Sequence, residues 1–170
     1  MTLIICGLSE VERVIARRAP SHLITLLDPA SMIATPAGLG EGRHLRLGVN
    51  DIAEVLDGLV APSESVVAEI IAFARDWDES APMLVHCWAG ISRSTAAAFA
   101  IACERSAPGK EAAIAQAMRA AAPHAYPNRR IVALADDLLG RQGRMVDAVE
   151  AIGMGEFAIA LPFDLAARHE

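Results

Sequence analysis

The sequence predicts an α/β fold. We expect a single domain with a central, largely parallel sheet of four to five strands, helices on both faces and a helix-rich C-terminal half. Short apolar runs alternate with segments of helical period along the first two-thirds of the chain, as in strands covered by helices. The 170 residues, of which 54% are hydrophobic and 4% aromatic, are enough for one aliphatic core. The domain is therefore expected to span residues 1–170.

Four apolar runs predict strands, and periodic segments between them predict helices. Ser9 to Glu12 reads as a capping box that starts a helix, which Pro20 ends. Pro62-Ser63-Glu64 starts a second helix that runs to about Trp77. Residues 28–42, rich in Pro and Gly, predict a loop with one short helical turn. The strand candidates are Leu3 to Cys6, Leu23 to Leu27, His44 to Val49 and Met83 to Cys87.

From Ser92 onward the pattern is almost entirely helical. Prolines and glycines interrupt it at residues 107–109, 123–127 and 140–143, which predicts four helices. Residues 153–170 lose this periodicity, and we expect them to form a tail packed on the surface.

Charge and cysteine content exclude several classes of function. The net charge of −6 argues against nucleic acid and anionic membranes as partners. Three widely spaced cysteines form neither a disulfide framework nor a zinc motif, and the histidines lack metal-ligand spacing. No apolar run approaches the ~20 residues of a membrane span. We therefore expect a cytoplasmic protein without metal or cofactor, and the oligomeric state stays open.

The segment from His86 to Ser94 carries the strongest functional signal. A Cys followed six residues later by an Arg has little weight, because the chain has three cysteines and many arginines. Requiring also His before the Cys, Gly three residues after it and Ser after the Arg lowers the chance expectation to roughly 4 × 10⁻⁵. An apolar run precedes this segment and a helix pattern follows it. The expected phosphate-binding residues are Cys87, Trp88, Ala89, Gly90, Ile91, Ser92 and Arg93.

A strand, loop and helix in this order suit the capture of a phosphate. Loop amides and the N-terminus of the helix attract an anion, and the same field favours a thiolate at Cys87. The guanidinium of Arg93 can hold two phosphoryl oxygens, and Gly90 permits close approach of the backbone. Ser94 can donate to the Cys87 sulfur and make it a better leaving group, while His86 is expected to orient the loop rather than act as a base.

His86-Cys87-x5-Arg93-Ser94 resembles the active-site loop of the protein tyrosine and dual-specificity phosphatase superfamily, and we expect a bacterial member. The resemblance implies hydrolysis of a phosphomonoester, phosphotyrosine above all, through a cysteinyl-phosphate. It also implies a general acid, an Asp just past a strand some thirty-odd residues before the Cys. Asp51 fits this description, and Glu54 and Asp57 follow on the same loop as alternatives.

Further features of the resemblance refine the expected function. Asn128 resembles an Asn that supports the active site in dual-specificity phosphatases, although it also suits a helix N-cap. The loop interior lacks the lysines with which phosphoinositide phosphatases of this superfamily balance extra phosphates. Phosphoserine and small phosphorylated metabolites stay open as substrates. The alternatives are a pseudophosphatase that binds phosphate without turnover and a rhodanese-type sulfurtransferase.

Overall fold

A computed structural model describes all 170 residues and contains five strands and six helices. The strands are β1 (Thr2–Gly7), β2 (His22–Leu27), β3 (His44–Gly48), β4 (Met83–Cys87) and β5 (Phe163–Ala166). The helices are α1 (Val11–Arg18), α2 (Glu64–Asp76), α3 (Arg93–Glu104), α4 (Glu111–Ala121), α5 (Arg129–Leu138) and α6 (Arg144–Ile152). The four strand candidates and the four C-terminal helices of the sequence analysis are all confirmed.

The strands form one sheet in the order β3-β2-β4-β1-β5. The first four are mutually parallel, and β5 pairs with β1 in the antiparallel direction at the edge. All six residues of β2 and all five of β4 are buried, as expected for parallel strands covered on both faces. The predicted α/β class with a largely parallel sheet is confirmed.

Helices cover both faces of the sheet. On one face, α1 packs Val11 and Val14 against a small apolar cluster that includes Ile4 and Leu23. On the other face, α2 to α6 enclose a core of 36 buried residues. Helix α3 lies at the centre of this core, with every residue from Arg93 to Cys103 buried. Its run of alanines allows the helix to lie close to the sheet and its neighbours.

The start of α1 differs from the prediction. The capping box at Ser9 is absent, since Leu8–Glu10 form a turn of 3-10 helix and the α-helix begins at Val11 without a side-chain cap. Leu8 N–H donates to the carbonyl of Trp88, 3.0 Å away, and this contact connects the end of β1 to the loop between β4 and α3. By contrast, α2 begins as predicted, with Ser63 Oγ accepting from Val66 N–H.

The C-terminal segment contributes to the sheet. Residues 154–161 are largely exposed, as expected of a surface tail, but Phe163–Ala166 then form β5. Phe163 and Leu165 point into the main core while the residues that follow each are exposed, which is the alternation of a half-buried edge strand. Four residues are too short a stretch for this pattern to stand out in sequence. None of the helices has the length and hydrophobicity needed to cross a bilayer.

Candidate active site

The His86–Ser94 segment lies at the carboxyl edge of the parallel strands. Strand β4 ends at Cys87 and α3 begins at Arg93, so the loop between them turns at the centre of the sheet edge. A cavity of about 610 Å³ opens above this loop. Crevices at this edge of parallel sheets are where ligands of α/β proteins commonly bind. The expected site residues that line it are Asp51, Cys87, Trp88, Ala89, Ile91, Ser92 and Arg93.

The backbone of the loop leaves several of its amides without backbone partners. Three of its carbonyls accept hydrogen bonds from outside the loop, and the amide that follows each one therefore points to the opposite side of its trans peptide. None of the amides of residues 88–93 donates to a backbone acceptor. Free amides in a loop before a helix N-terminus are the groups with which proteins commonly bind an oxyanion. The outside contacts are Leu8 N to Trp88 O (3.0 Å), Tyr126 N to Ile91 O (2.9 Å) and Asn128 N to Ser92 O (3.2 Å).

Gly90 permits the loop to pack against the end of β1. Its φ of +75° lies in the left-handed region, and a Cβ built there would lie 2.7 Å from the backbone carbon of Cys6 and from the nitrogen of Gly7. Any other residue would push these backbone segments apart. The glycine therefore serves the shape of the loop rather than a direct chemical role.

Cys87 differs from the other two cysteines in its surroundings. All three are free and buried, but only Cys87 lines the cavity, with its Sγ 3.1 Å from Ser94 Oγ. Burial raises the pKa of the Cys6 thiol to about 12 and also raises the pKa of the Cys103 thiol. Those two side chains therefore stay protonated and unreactive at neutral pH.

Arg93 is buried but keeps part of its guanidinium free. The residue is 3% exposed, and its Nη1 donates to Val49 O at 2.6 Å and to Asp28 Oδ1 at 3.0 Å. The buried Nε has no partner. A guanidinium anchored through one nitrogen can present the others to two phosphoryl oxygens. The anchor keeps this geometry in place before any ligand binds.

Asp28 and Asn50 are functional candidates that the sequence analysis missed. Asp28 directly follows β2, accepts from both Arg93 and Asn50 Nδ2 at 3.0 Å, and lines the cavity. Its position after a buried strand at the carboxyl edge of the sheet is a signal that could have found it. Asn50 also accepts from Val60 N–H at 2.8 Å, which closes the loop that carries Asp51.

Asp51 is held at the rim of the cavity. Its Oδ1 accepts from Ser92 Oγ at 2.7 Å and from Asn128 Nδ2 at 2.8 Å, whereas Oδ2 has no hydrogen bond. The second oxygen is therefore free to face a ligand above the loop. Glu54 and Asp57 are exposed and are not among the residues that line the cavity. The geometry thus favours Asp51 over these two alternatives.

Asn128 makes two separate sets of hydrogen bonds. Its Oδ1 accepts from the N–H groups of Arg130 and Ile131, each at 3.1 Å, and so caps α5. Its Nδ2 donates to Asp51 Oδ1 and, at 3.3 Å, to Ile52 O. One buried side chain therefore connects the start of α5 to the loop of Asp51.

His86 lies behind the loop, away from the cavity. Its Nδ1 is 3.3 Å from the carbonyl oxygen of Cys87 and its Nε2 is 2.7 Å from Thr25 Oγ1. Burial lowers the pKa of His86 to about 4, so the ring is neutral at pH 7. These contacts suit an orienting residue. No group of three or more His, Cys, Asp or Glu residues is arranged to hold a metal ion.

Comparison with known proteins agrees with this geometry. The sequence model of the protein-tyrosine phosphatase family matches residues 57–124, a range that includes the whole loop but neither Asp51 nor Asn128. No curated protein matches the chain significantly. The match of this family model over the loop confirms the resemblance of the chain to the protein tyrosine phosphatases.

Two solved structures show the same fold. The crystal structure of DUSP15 superposes with a TM-score of 0.59 at 21% identity, covering 87% of this chain and 90% of the other. The crystal structure of PTPMT1 in complex with PI(5)P gives a TM-score of 0.59 at 17% identity, covering 86% and 94%. At such identities the likeness concerns the fold alone.

Proposed function

We propose that this protein is a cysteine-dependent phosphatase that hydrolyses phosphomonoesters, with phosphotyrosine as its substrate class. The observation that carries the proposal is the convergence of three groups on one cavity. Cys87 supplies a sulfur nucleophile, the anchored Arg93 and the free loop amides supply an anion cradle, and Asp51 supplies a carboxyl group at the rim.

In the first step, the Cys87 thiolate attacks phosphorus. The S–P bond forms as the bond between phosphorus and the leaving oxygen breaks, and Asp51 transfers its proton to that oxygen. Arg93 and the loop amides stabilise the charge on the three equatorial oxygens. The products of this step are the free alcohol or phenol and a cysteinyl-phosphate.

In the second step, water releases phosphate. The Asp51 carboxylate accepts a proton from the attacking water, the new P–O bond forms and the S–P bond breaks. Ser94 Oγ, 3.1 Å from the sulfur, donates a hydrogen bond that stabilises the departing thiolate. The enzyme returns to its starting protonation state, with Asp51 protonated and Cys87 ionised.

The walls of the cavity support an aryl monophosphate as substrate. Trp88 is 59% exposed beside Cys87, and Ile52 and Leu59 line the same cavity. An aromatic ring attached to the phosphate can pack on these side chains. The one cationic residue that lines the cavity is Arg93, so a second phosphate would find no further partner there. These features favour phosphotyrosine over a polyphosphorylated lipid headgroup.

The test is hydrolysis of 4-nitrophenyl phosphate in the presence of a metal chelator. We expect activity that vanadate inhibits, that Cys87→Ser abolishes and that Cys103→Ala retains. Cys103 is a matched control, because it is also a buried free thiol but lies outside the cavity. Full activity of Cys87→Ser, or loss of activity in both variants, would refute the proposal.

The alternatives give different outcomes in the same assays. For the phosphatase, Asp51→Asn should lower kcat and remove the basic limb of its pH profile, since the protonated acid is needed. Tight binding of a phosphopeptide without measurable turnover would instead indicate a pseudophosphatase. Sulfur transfer from thiosulfate to cyanide would indicate a rhodanese.

We also propose a cytoplasmic location. The three cysteines are all free, and a cysteine nucleophile requires surroundings that keep it reduced.

A further inference from the structure

A series of hydrogen bonds runs along one face of the sheet, from the residue before Cys87 on β4 to the edge strand β3. His86 Nε2 and His44 Nε2 both lie 2.7 Å from the single hydroxyl of Thr25, and His44 Nδ1 lies 3.0 Å from Thr35 Oγ1. Thr25 is paired in register with His86 on the neighbouring strand, so their side chains share one face of the sheet. Strands β4, β2 and β3 each contribute one residue to this series.

The positions of the hydrogens in this series of hydrogen bonds can be assigned by starting at the Cys87 carbonyl. The carbonyl of Cys87 can only accept, so His86 must donate from Nδ1–H. Both rings are neutral near pH 7, because burial lowers the pKa of His86 and of His44 to about 4. His86 Nε2 therefore carries no hydrogen and accepts from the Thr25 hydroxyl.

The hydrogens between Thr25, His44 and Thr35 are assigned in the same way, by matching each donor to an acceptor. The Thr25 hydroxyl has one hydrogen, which it donates to His86, so its oxygen must accept from Nε2–H of His44. His44 Nδ1 is then bare and accepts from Thr35. The opposite direction would place a lone pair of His86 against the carbonyl oxygen of Cys87 and leave both without a donor. The two histidines thus require opposite tautomers.

We propose that His44 is a positioning residue that acts through Thr25 to hold His86 as the Nδ1–H tautomer and thereby orients the peptide between Cys87 and Trp88. The Cys87 carbonyl faces His86, so the Trp88 N–H on the other side of this trans peptide faces the anion cradle. Its effect on catalysis rests on the proposed phosphatase function, whereas the tautomers themselves do not.

The first test measures the tautomers directly. In the ¹⁵N-labelled protein at pH 7, long-range ¹H–¹⁵N correlation spectra distinguish Nδ1–H from Nε2–H rings. We expect the Nδ1–H form for His86 and the Nε2–H form for His44, with the signals assigned by their loss in His44→Gln and His86→Gln. The same tautomer in both rings, or a charged ring in either, would overturn the proposal. This measurement tests the two tautomers even if the protein has no phosphatase activity.

The second test removes single hydrogen bonds of this series. Thr25→Val keeps the shape of the side chain but no hydroxyl, and we expect kcat/KM to fall by about tenfold, as for one lost hydrogen bond. Thr25→Ser should recover to within about threefold of wild type. His44→Leu should lose activity like Thr25→Val, whereas His44→Gln keeps an N–H donor and should lose less.

The reactivity of the Cys87 thiol distinguishes a positioning role of His44 and Thr25 from a merely structural one. The pH at which Cys87 reaches half its maximal rate of alkylation by iodoacetamide should rise in Thr25→Val and His44→Leu, while thermal melting shows that both remain folded. The control is Thr35→Val, where water can replace the exposed hydroxyl and the change should stay within about twofold. Unchanged alkylation profiles in Thr25→Val and His44→Leu would refute the positioning role, whatever the tautomers.

Discussion

Asn128 offers a way to separate catalytic positioning from stability at one residue. Its Oδ1 caps α5, and its Nδ2 donates to Asp51 Oδ1 at 2.8 Å and to Ile52 O at 3.3 Å. Asn128→Ala removes both functions. Asn128→Ser keeps a good N-cap, since serine is as effective as asparagine there, but its shorter side chain lacks the amide donor. The pair of variants therefore isolates the contact with Asp51.

The magnitudes follow from the contacts. Loss of the cap costs about 1 kcal/mol, and loss of a hydrogen bond to the protonated carboxyl group of Asp51 costs about 0.5 to 1.5 kcal/mol. Asn128→Ala should therefore be less stable than Asn128→Ser by about 1 kcal/mol. Both should lose kcat equally, by about tenfold on a substrate that needs the acid, because Asp51 keeps only its contact with Ser92.

The assay compares two leaving groups. 4-Nitrophenolate leaves with little help, whereas phenolate needs a proton, so kcat for phenyl phosphate should fall about tenfold and kcat for 4-nitrophenyl phosphate less than about threefold. Urea unfolding monitored by circular dichroism gives the two stabilities.

Two results would refute this reasoning. If Asn128→Ser had wild-type kcat on phenyl phosphate while Asn128→Ala did not, the residue would act through the cap alone. If both variants lost the same factor on both substrates, Asn128 would not act through the general acid.

Three further substitutions test the loop. Gly90→Ala places a Cβ 2.7 Å from the backbone of Cys6 at a φ of +75°. We expect it to lower the free energy of unfolding by more than about 2 kcal/mol and to abolish vanadate binding. A wild-type melting temperature would contradict this. Ser94→Ala should slow release of phosphate from Cys87, so that stopped-flow traces show a burst of 4-nitrophenolate; unchanged kcat without a burst would exclude the role. Trp88→Ala should leave stability within about 0.5 kcal/mol but raise KM for a phosphotyrosine peptide about threefold or more, with little change for glycerol phosphate; equal changes for both would argue against aryl packing.

Much of the fold was readable in the sequence because its strands are fully buried. Continuous apolar runs such as Leu23 to Leu27 stand out against the helical period on either side, and Pro20 and Pro62 punctuate the helices. The failures lie at element ends and edges. The capping box at Ser9 does not form, because Leu8–Glu10 adopt a turn of 3-10 helix, and β5 is a four-residue edge strand whose pairing depends on distant residues.

Part of the site was readable because its chemistry is local. The proposed nucleophile Cys87, the loop amides and Arg93 lie within seven consecutive residues, and their geometry depends mainly on a strand before and a helix after them. Asp51 could be picked out in the sequence because it follows a strand at the carboxyl edge of a parallel sheet. Its role as the acid stays a prediction.

The sequence by itself determined the residues of the loop, and only the tertiary structure decided their partners. Asp28 lies 65 residues from Arg93 along the chain, and His44 lies 42 residues from His86. Strand order and register bring them together, and a shift of one residue would turn each side chain to the other face of the sheet. Register depends on the packing of the whole core, which no short segment encodes, so these anchors became visible only in the folded chain.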